Sequence, residues 1–500
     1  MIDLTLWILL MAQISMGAFD TIWHHEVTQR LAWKPAQVTE LRLHGVRNLV
    51  YAIIFVALGF SAPHGAWATA LIALMTGELI VTLWDFVEED RTRMLPATER
   101  VTHTLLTLNY GVVLALLLPE LWVQAALPTA LPVVWNGLFS VIFALAAIGV
   151  VVCGLRDLAA ASRSARLVQA DAAELAGALG GRRTILVTGG TGFVGTRLIA
   201  ALVGAGHDVT VLTRDATHAR HLGAPLRIVT SLDHIASATR IDAIVNLAGE
   251  SIASGLWTRR RRAAILSSRI DMTRTLHRLC ARLDHRPEVL INASAIGLYG
   301  DRGDELIDET SAQGTGFCRD ICAAWEAETE HFAALGMRVV RLRIGLVLAA
   351  SGGLLGNLLF PFEAGMGGRI GSGRQWMSWI HRDDLVRLIA FAIATPELDG
   401  AVNATAPNPV RNADFARALG RALRRPAFVP LPAAPLRLVL GDFAEELFLG
   451  GQRVLPVKAV FEGFRFRYPQ IGPALAAIVG AKMRMPVATS RPFAGLRWLH

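Results

Sequence analysis

The chain has 500 residues, of which 53% are hydrophobic and 18% are charged, and its formal net charge at pH 7 is +8. These values exclude a single soluble domain, because the chain is too long and too apolar for one soluble core. Nucleic-acid binding is not favoured, since the arginines are scattered and flank apolar runs. The four cysteines have no CxxC spacing, so neither a disulfide framework nor a structural zinc site is indicated.

Apolar runs close to the roughly 20 residues that cross a bilayer dominate the chain before residue 155. We predict five membrane spans, at 4–22, 45–61, 66–84, 104–123 and 132–154. The first run lacks the basic region and cleavage site of a signal peptide, so we interpret it as a retained span.

Basic residues concentrate in alternate loops of this region. The first loop, the third loop and the exit from span five carry them: Arg30, Lys34, Arg42, Arg47, Arg91, Arg93, Arg100, Arg156, Arg163 and Arg166. Because such residues accumulate on the cytoplasmic side, we expect an integral protein of the plasma (inner) membrane. Its N-terminus would lie outside, and everything after residue 155 would be cytoplasmic.

Two segments of the membrane region resemble each other. Residues 40–51 (ELRLHGVRNLVY) and 99–110 (ERVTHTLLTLNY) each contain Glu, then His four residues later and Tyr seven residues after that. This repeat predicts a duplicated helical hairpin that forms a four-helix bundle, with the fifth span as a tether to the rest of the chain.

The repeated Glu and His residues are candidate metal ligands. On a helix, residues i and i+4 share one face, so Glu40 with His44 and Glu99 with His103 each present a carboxylate and an imidazole. These ligand types suit iron, manganese or zinc. The alternative is that they are helix-end polar residues in headgroup water, with Glu99 paired to a nearby arginine. Carboxylate bundles use a Glu-x-x-His spacing, which is not the spacing here.

After residue 180 the chain reads as a globular protein that begins with a nucleotide-binding unit. Residues 182–215 contain a strand (TILVT), a glycine turn, an amphipathic helix and a second strand. Gly189 permits a tight turn, Gly192 lets the backbone approach a pyrophosphate, and Gly195 lets helix and strand pack closely. The context of strand, turn and helix makes this glycine pattern specific.

The end of the second predicted strand indicates which dinucleotide binds. An acidic residue at this position holds the ribose 2′-hydroxyl of NAD, whereas Arg214 would meet the 2′-phosphate of NADP. NADP(H) is therefore favoured over NAD. Asp215, the next residue, keeps NAD as an alternative.

Further strands are predicted at 242–250 (DAIVNLAGE) and 288–300 (EVLINASAIGLYG), so strands and helices alternate and a doubly wound parallel sheet is expected. With SSRIDMTRTL (267–276) and GSGRQWMSWIHRDDLVRLI (371–389), these motifs resemble extended, or atypical, short-chain dehydrogenase/reductases of the sugar-nucleotide-epimerase-like branch. The resemblance covers about 183–480 and includes the start of that subfamily's own small C-terminal domain.

The predicted fold class is an α-helical membrane bundle followed by a Rossmann-type α/β sheet with a small C-terminal α/β extension. We predict a transmembrane domain at 1–155, a linker at 156–181, an NAD(P)-binding Rossmann domain at 182–400, a C-terminal substrate-side domain at 401–485 and a tail at 486–500.

The resemblance also implies roles for individual residues, and it implies that Ser294 would polarise a substrate carbonyl. From their positions in the sequence, Tyr299 or a water would relay the proton, and His381 would face the substrate. The cofactor would contact Gly189, Gly190, Thr191, Gly192, Phe193, Val194, Gly195, Arg214, Leu247, Ala248 and Gly249. The Tyr-x-x-x-Lys pair of the superfamily is missing, because Cys318 and Cys322 occupy the matching positions.

These inferences favour a membrane-anchored NADP(H)-dependent oxidoreductase or epimerase-like enzyme. Its substrate would be a small carbonyl or sugar-nucleotide-like molecule at the cytoplasmic face. The missing Tyr-x-x-x-Lys pair supports a second hypothesis, a catalytically silent NADP(H) sensor. A third hypothesis is transfer of electrons from NADPH to a metal or quinone at the membrane domain.

Overall fold

The structure is a computed structural model that describes residues 4–93, 95–165, 167, 170–223 and 225–481. Arg166 and the predicted tail at 486–500 lie outside the described residues. The chain divides into two compact units, a helical unit (Met1–Leu167) and an α/β unit (Val168–His500).

Within its described residues, the helical unit contains five helices that are long and apolar enough to cross a membrane. They are α1 (Leu4–Phe19), α2 (Val38–Phe60), α3 (Ala66–Thr92), α4 (Ala97–Ala125) and α5 (Leu138–Ser164). Each helical segment continues past its predicted span at the end that carries the basic residues. The reason is that polar side chains there, such as Glu40 and Glu89, are buried among the helices rather than placed in loops.

Helix α5 is more than the predicted tether, because it packs closely along α2. A Cβ added at Gly45 would lie 2.6 Å from Leu158 Cγ, one at Gly154 would lie 2.9 Å from the Gly45 carbonyl oxygen, and Gly59 faces Phe143. Small residues of this kind allow two helix backbones to approach closely. The fifth helix is therefore an integral part of the bundle.

A wider helical segment follows α1. Residues Asp20–Gln29 form a π-helix, which ends where Arg30 adopts a left-handed conformation (φ 53°). This segment buries Asp20, His24 and His25. Single π-turns often mark functional sites, and this one extends over ten residues.

The α/β unit is built from short strands and helices in alternation. Its strands are β1 (Thr184–Thr188), β2 (Asp208–Leu212), β3 (Arg227–Val229), β4 (Ala243–Asn246), β5 (Val289–Ala295), β6 (Leu306–Ile307), β7 (Arg338–Ile344), β8 (Leu346–Leu348), β9 (Trp376–Met377), β10 (Trp379–His381), β11 (Gly400–Ala404), β12 (Val410–Arg411) and β13 (Arg453–Val454). Its helices are α6 (Ala172–Leu175), α7 (Gly195–Gly204), α8 (Arg259–Arg282), α9 (Phe317–Glu328), α10 (Glu330–Ala333), α11 (Gly353–Glu363), α12 (Arg382–Ala394), α13 (Asn412–Leu423), α14 (Ala433–Leu440), α15 (Asp442–Ala444), α16 (Val457–Phe461) and α17 (Ile471–Val479).

Seven strands form one parallel sheet in the order β11-β7-β5-β4-β1-β2-β3. The doubly wound parallel sheet expected from the sequence is thus present. Its register places Thr188 beside Asn246, and Asn246 beside Asn292. The carboxyl ends of the three central strands therefore meet at one edge, where ligands of such sheets bind.

The boundaries of the α/β unit differ from those expected. Leu175, Ala176 and Leu179 are buried in the main hydrophobic core, so part of the predicted linker belongs to this unit. The predicted boundary at residue 400 coincides with the first residue of β11, whose edge position in the sheet keeps residues 400–404 in the Rossmann core.

Candidate functional site

The turn after β1 has the shape that requires glycine. Gly189 has φ +68°, and a Cβ there would lie 2.7 Å from the carbonyl atoms of Leu247. A Cβ at Gly195 would lie 2.2 Å from the Gly189 carbonyl oxygen. A Cβ at Gly192 would meet only that oxygen, at 3.1 Å, and Gly192 is exposed. The turn is thus closed on its inner side and open at Gly192, where a pyrophosphate can approach the N-terminus of α7.

The other residues of the turn fasten it to the neighbouring loop. The ring of Phe193 lies against Gly352 and Gly353, and the Arg382 guanidinium lies 5.5 Å above it. Arg197, in the first turn of α7, pairs with Asp383 at 2.8 Å. Thr191 and Val194 are half-buried between these contacts. The turn is therefore held in place before any ligand binds.

The residues predicted to contact the adenosine half lie beside this turn. Arg214 follows β2, and its guanidinium is exposed and pairs with no carboxylate in the described part of the chain. Residues 247–249 follow β4, where Leu247 contacts Gly189 and Gly249 lies close to the Arg269 guanidinium. The structure thus brings the predicted cofactor residues together along one edge of the sheet.

A buried polar network that the sequence analysis missed lies beneath this edge. Thr188 Oγ1 donates to Asn246 Oδ1 at 2.6 Å, and Asn246 Nδ2 donates to Asn292 Oδ1 at 2.7 Å. Thr273 joins it, because its hydroxyl accepts from Asn246 Nδ2 at 3.3 Å and also from Trp325 Nε1 at 3.1 Å. The available signal was a polar residue within the apolar run of each of three neighbouring strands, at the last residue of β1 and β4 and in the middle of β5. Fully bonded networks of this kind fix the strand ends relative to one another.

Ser294 lies at the end of β5, as predicted, but its hydroxyl is already bonded. The hydroxyl donates to Glu326 Oε1 at 2.7 Å, and Arg343 holds both oxygens of Glu326 at 3.0 and 2.9 Å. A substrate carbonyl would have to compete with Glu326 for the serine proton. Glu326 and Arg343 thus control the orientation of Ser294, and the sequence analysis did not identify them.

The structure contradicts the predicted role of Tyr299 as a proton donor. Its side chain is fully buried, and its hydroxyl donates to Asn403 and accepts from Arg343, both at 2.8 Å. Burial raises the pKa of Tyr299 to about 12. The reason is the 3-10 turn at Ile296–Tyr299, which places the hydroxyl between Asn403 of β11 and Arg343 of β7.

His381 also differs from its predicted role of facing the substrate. Its Nδ1 accepts from the backbone N–H of Asp383, so the imidazole caps the N-terminus of α12. The ring is buried and lies 4.1 Å from the Tyr468 ring. Burial lowers the pKa of His381 to about 4, which keeps Nδ1 free to accept the capping hydrogen bond.

Replacing His381 with asparagine should weaken the dependence of stability on pH. The unfolded chain binds a proton at His381 near pH 6.5, the ordinary pKa, whereas the folded chain binds it only near pH 4, so stability falls as pH falls between these two values. The loss of unfolding free energy over this range is about 3 kcal/mol, at 1.36 kcal/mol per pKa unit. Asparagine retains a capping oxygen. Urea unfolding of the α/β unit within the full chain, between pH 7 and 4.5, measures the slope.

The control for this prediction is His285→Asn, the same exchange at an exposed histidine. A slope in His381→Asn as steep as in the unmodified chain would contradict the capping argument.

Cys318 and Cys322, which occupy the Tyr-x-x-x-Lys positions, share one face of α9 with Glu326. Burial raises the pKa of both thiols, that of Cys322 to about 11. Neither is therefore a ready nucleophile or proton carrier. Cys318 lies against Gly297, in the turn after Ser294.

In the helical unit, the four predicted metal ligands gather at one end. Two groups of side chains have ligand atoms within 4.8 Å of one another: His25, Glu89, Glu99 and His103, and Glu40, His44 and Glu89. Each predicted pair thus stays together, with Glu99 and His103 in the first group and Glu40 and His44 in the second. The predicted arginine pairing is also present, because Arg93 binds Glu40, Glu89 and Glu99 at 2.9, 3.1 and 2.7 Å.

Comparison with known proteins assigns the α/β unit to families. Residues 185–404 match the NAD dependent epimerase/dehydratase family, and residues 431–478 match a domain of unknown function, DUF1731. The second match lies within the predicted C-terminal domain. Neither match includes the helical unit.

Individual relatives cover the same part of the chain. Epimerase family protein Mb2239 of Mycobacterium bovis is 41% identical over 292 residues, which are 58% of this chain and 96% of the relative. YfhF of Bacillus subtilis is 38% identical over 304 residues, 59% of this chain and 97% of the relative. The crystal structure of human epimerase family protein SDR39U1 with NADPH is 32% identical, covers 59% of this chain and 99% of the human chain, and has a TM-score of 0.54.

Proposed function

This chain belongs to the NAD dependent epimerase/dehydratase family, and we propose on that basis that it is a membrane-anchored, NADP(H)-dependent oxidoreductase or epimerase-like enzyme. Its substrate would be a small carbonyl or sugar-nucleotide-like molecule at the cytoplasmic face. The observation that carries the proposal is the exposed Arg214 after β2, together with a glycine turn after β1 that is open at Gly192. The NADPH of the human relative supports the same cofactor.

The residues present fit this cofactor. The open face of the turn at Gly192 and the N-terminus of α7 would bind the pyrophosphate, and Arg214 would bind the 2′-phosphate. Residues 247–249 would line the adenine ribose. Bound NADPH supplies a hydride to a carbonyl carbon, or NADP⁺ accepts one from an alcohol.

The chain itself would supply orientation and a proton path. Arg343 and Glu326 hold Ser294 at the end of β5, and Ser294 would turn its hydroxyl from Glu326 to the substrate oxygen on binding. Because Tyr299 is buried, a water at the strand ends would relay the proton in its place. This arrangement explains how turnover is compatible with the missing Tyr-x-x-x-Lys pair.

Replacing Arg214 with alanine should change cofactor preference. The loss of one charge-assisted contact to a phosphate corresponds to about 1.5–3 kcal/mol, or roughly 10- to 150-fold weaker NADPH binding. NADH lacks the 2′-phosphate, so its affinity should stay the same. Fluorescence titration of both nucleotides on the purified full-length protein measures the two constants. An equal loss for NADPH and NADH would remove Arg214 from the 2′-phosphate site.

The activity itself is tested by NADPH oxidation with the full-length protein in detergent, against a panel of carbonyls and sugar nucleotides. Turnover of any of them supports the enzyme. Tight NADPH binding with no turnover would favour the alternative, a silent NADP(H) sensor. The burial of Tyr299 and of both thiols favours that alternative.

The membrane part of the proposal is supported by the five apolar helices and by the arginines at alternate connections. It places the N-terminus outside and the α/β unit in the cytoplasm. Reporter fusions test it: a fusion at the connection of residues 61–65 should report the outer side, and one after residue 165 the inner side. The reverse pattern would overturn the orientation.

A further inference from the structure

The helical unit buries more negative charge than its arginines neutralise. Five carboxylates at one end of the bundle are at most 3% exposed: Asp20, Glu40, Asp85, Glu89 and Glu99. Arg93 pairs with three of them and Arg47 with Asp85, while Lys34 donates to Gln29 instead. With Lys34 counted beside the two arginines, five carboxylates still exceed these three cations by two. Buried charge of this size is costly without compensation.

Two imidazole rings of the cluster are stacked. The imidazoles of His25 and His44 are parallel within 6°, with their centres 4.4 Å apart. The stack brings a ring of the first ligand group beside a ring of the second. A cation bound by these groups would compensate the remaining negative charge.

Two atoms of the cluster point to that cation directly. His25 Nε2 and Glu89 Oε2 are buried and make no well-formed hydrogen bond. His25 is 6% exposed and Glu89 0%. Glu89 Oε2 lies 3.4 Å from His103 Nδ1, and His25 Nε2 lies 3.3 Å from Asp20 Oδ2 and 3.9 Å from Glu99 Oε1. Buried polar atoms with only these long contacts call for an explanation, and an ion between them provides one.

The spacing of the cluster suits a transition metal. Its four ligand atoms lie within 4.8 Å of one another. Metal–nitrogen and metal–oxygen bonds are about 2.0–2.2 Å long, so two ligands on opposite sides of a metal lie about 4.2 Å apart. Small side-chain movements would therefore bring the four ligand atoms to bonding distance of one ion. The Asp20 carboxylate lies 3.2 Å from His103 Nε2 and would act as an outer partner of this ring. Nδ1 of His103 is then left for the metal.

We propose that this end of the helical unit binds a divalent transition metal of the iron, manganese or zinc class. Its ligands are His25, Glu89, Glu99 and His103. Glu40 and His44 form a second group that shares Glu89, so Glu89 is placed to bridge two ions. Arg93 remains bonded to the carboxylates, because each oxygen has a lone pair left for a metal.

The proposal is tested on the full-length protein purified in detergent without chelator. Mass spectrometry of the elements should find about one ion per chain, or about two if Glu89 bridges. The His103→Gln variant should lose the metal of this group. Asp90→Asn should keep it, because Asp90 is the exposed neighbour of Glu89 and contributes no ligand atom.

A cobalt titration keeps the test independent of variant folding. Co²⁺ added to the chelator-treated, unmodified protein should give visible bands of a nitrogen and oxygen site. Asp20→Asn, which retains the size of the side chain, should weaken binding roughly 10- to 100-fold. The proposal is overturned if the unmodified protein holds below about one-tenth of an ion and shows no Co²⁺ bands. It is also overturned if Asp90→Asn loses metal as His103→Gln does, since the ion would then lie elsewhere.

Discussion

Replacing Gly195 with alanine should weaken NADPH binding by at least about 100-fold, which corresponds to the loss of two charge-assisted hydrogen bonds to the pyrophosphate. The methyl group would lie 2.2 Å from the Gly189 carbonyl oxygen and 2.7 Å from Gly190 Cα. Both atoms belong to the backbone, so the turn itself must move. Fluorescence titration of NADPH on the full-length variant measures the effect.

Two further glycines separate binding from folding in this experiment. A Cβ at Gly192 lies on the open face of the turn, so Gly192→Ala should weaken NADPH binding and leave stability unchanged. A Cβ at Gly472, in α17, has no atom within 4 Å, so Gly472→Ala should leave NADPH binding unchanged and should not lower stability. Gly195→Ala should also lower the unfolding free energy by about 1–3 kcal/mol, because the turn is overpacked. Normal NADPH affinity in Gly195→Ala would show that the pyrophosphate does not bind at this turn.

Arg343→Met should lower the free energy of unfolding of the α/β unit by about 3–5 kcal/mol, because it leaves the buried Glu326 carboxylate without its partner. Arg343 also donates to the Tyr299 hydroxyl, so that hydroxyl loses a hydrogen bond as well. Pulse proteolysis of the full-length protein across a urea series measures the loss.

The double variant Arg343→Met/Glu326→Gln isolates the electrostatic part of this effect. It removes the charge that Arg343→Met leaves unpaired, so it should be more stable than the single variant. Arg182→Met is the exposed control, because the pair of Arg182 with Asp208 is in solvent and should not measurably affect stability. A double variant no more stable than Arg343→Met would contradict the assignment of a buried ion pair.

The glycine turn and the central strands were predictable because their signals are local. A strand, three spaced glycines and a helix follow one another within 34 residues, and each residue acts on its immediate neighbours. The parallel sheet followed from the same alternation of elements. The position of Arg214 at the end of β2 needed no knowledge of the rest of the fold.

The environments of Tyr299 and His381 were not predictable, because distant parts of the chain determine them. Tyr299 is bonded to Asn403 on β11, 104 residues away. His381 packs on Tyr468, after the last strand. The ligand groups of the helical unit combine residues of the segment after α1 with residues of α2, α3 and α4. The i, i+4 pairs identified two of four residues in one group and two of three in the other, because spacing on one helix does not reveal its neighbours.

Arg93 makes the two copies of the repeat unequal. Counted from the shared glutamates Glu40 and Glu99, the position of Arg93 in the second copy corresponds to Lys34 in the first. Arg93 binds the glutamates of both copies, whereas Lys34 donates to Gln29. A lysine ammonium lacks the planar fork that lets one guanidinium bind several carboxylates. Exchanging Lys34 and Arg93 would keep composition and charge, yet the duplicated halves would no longer share a counter-ion.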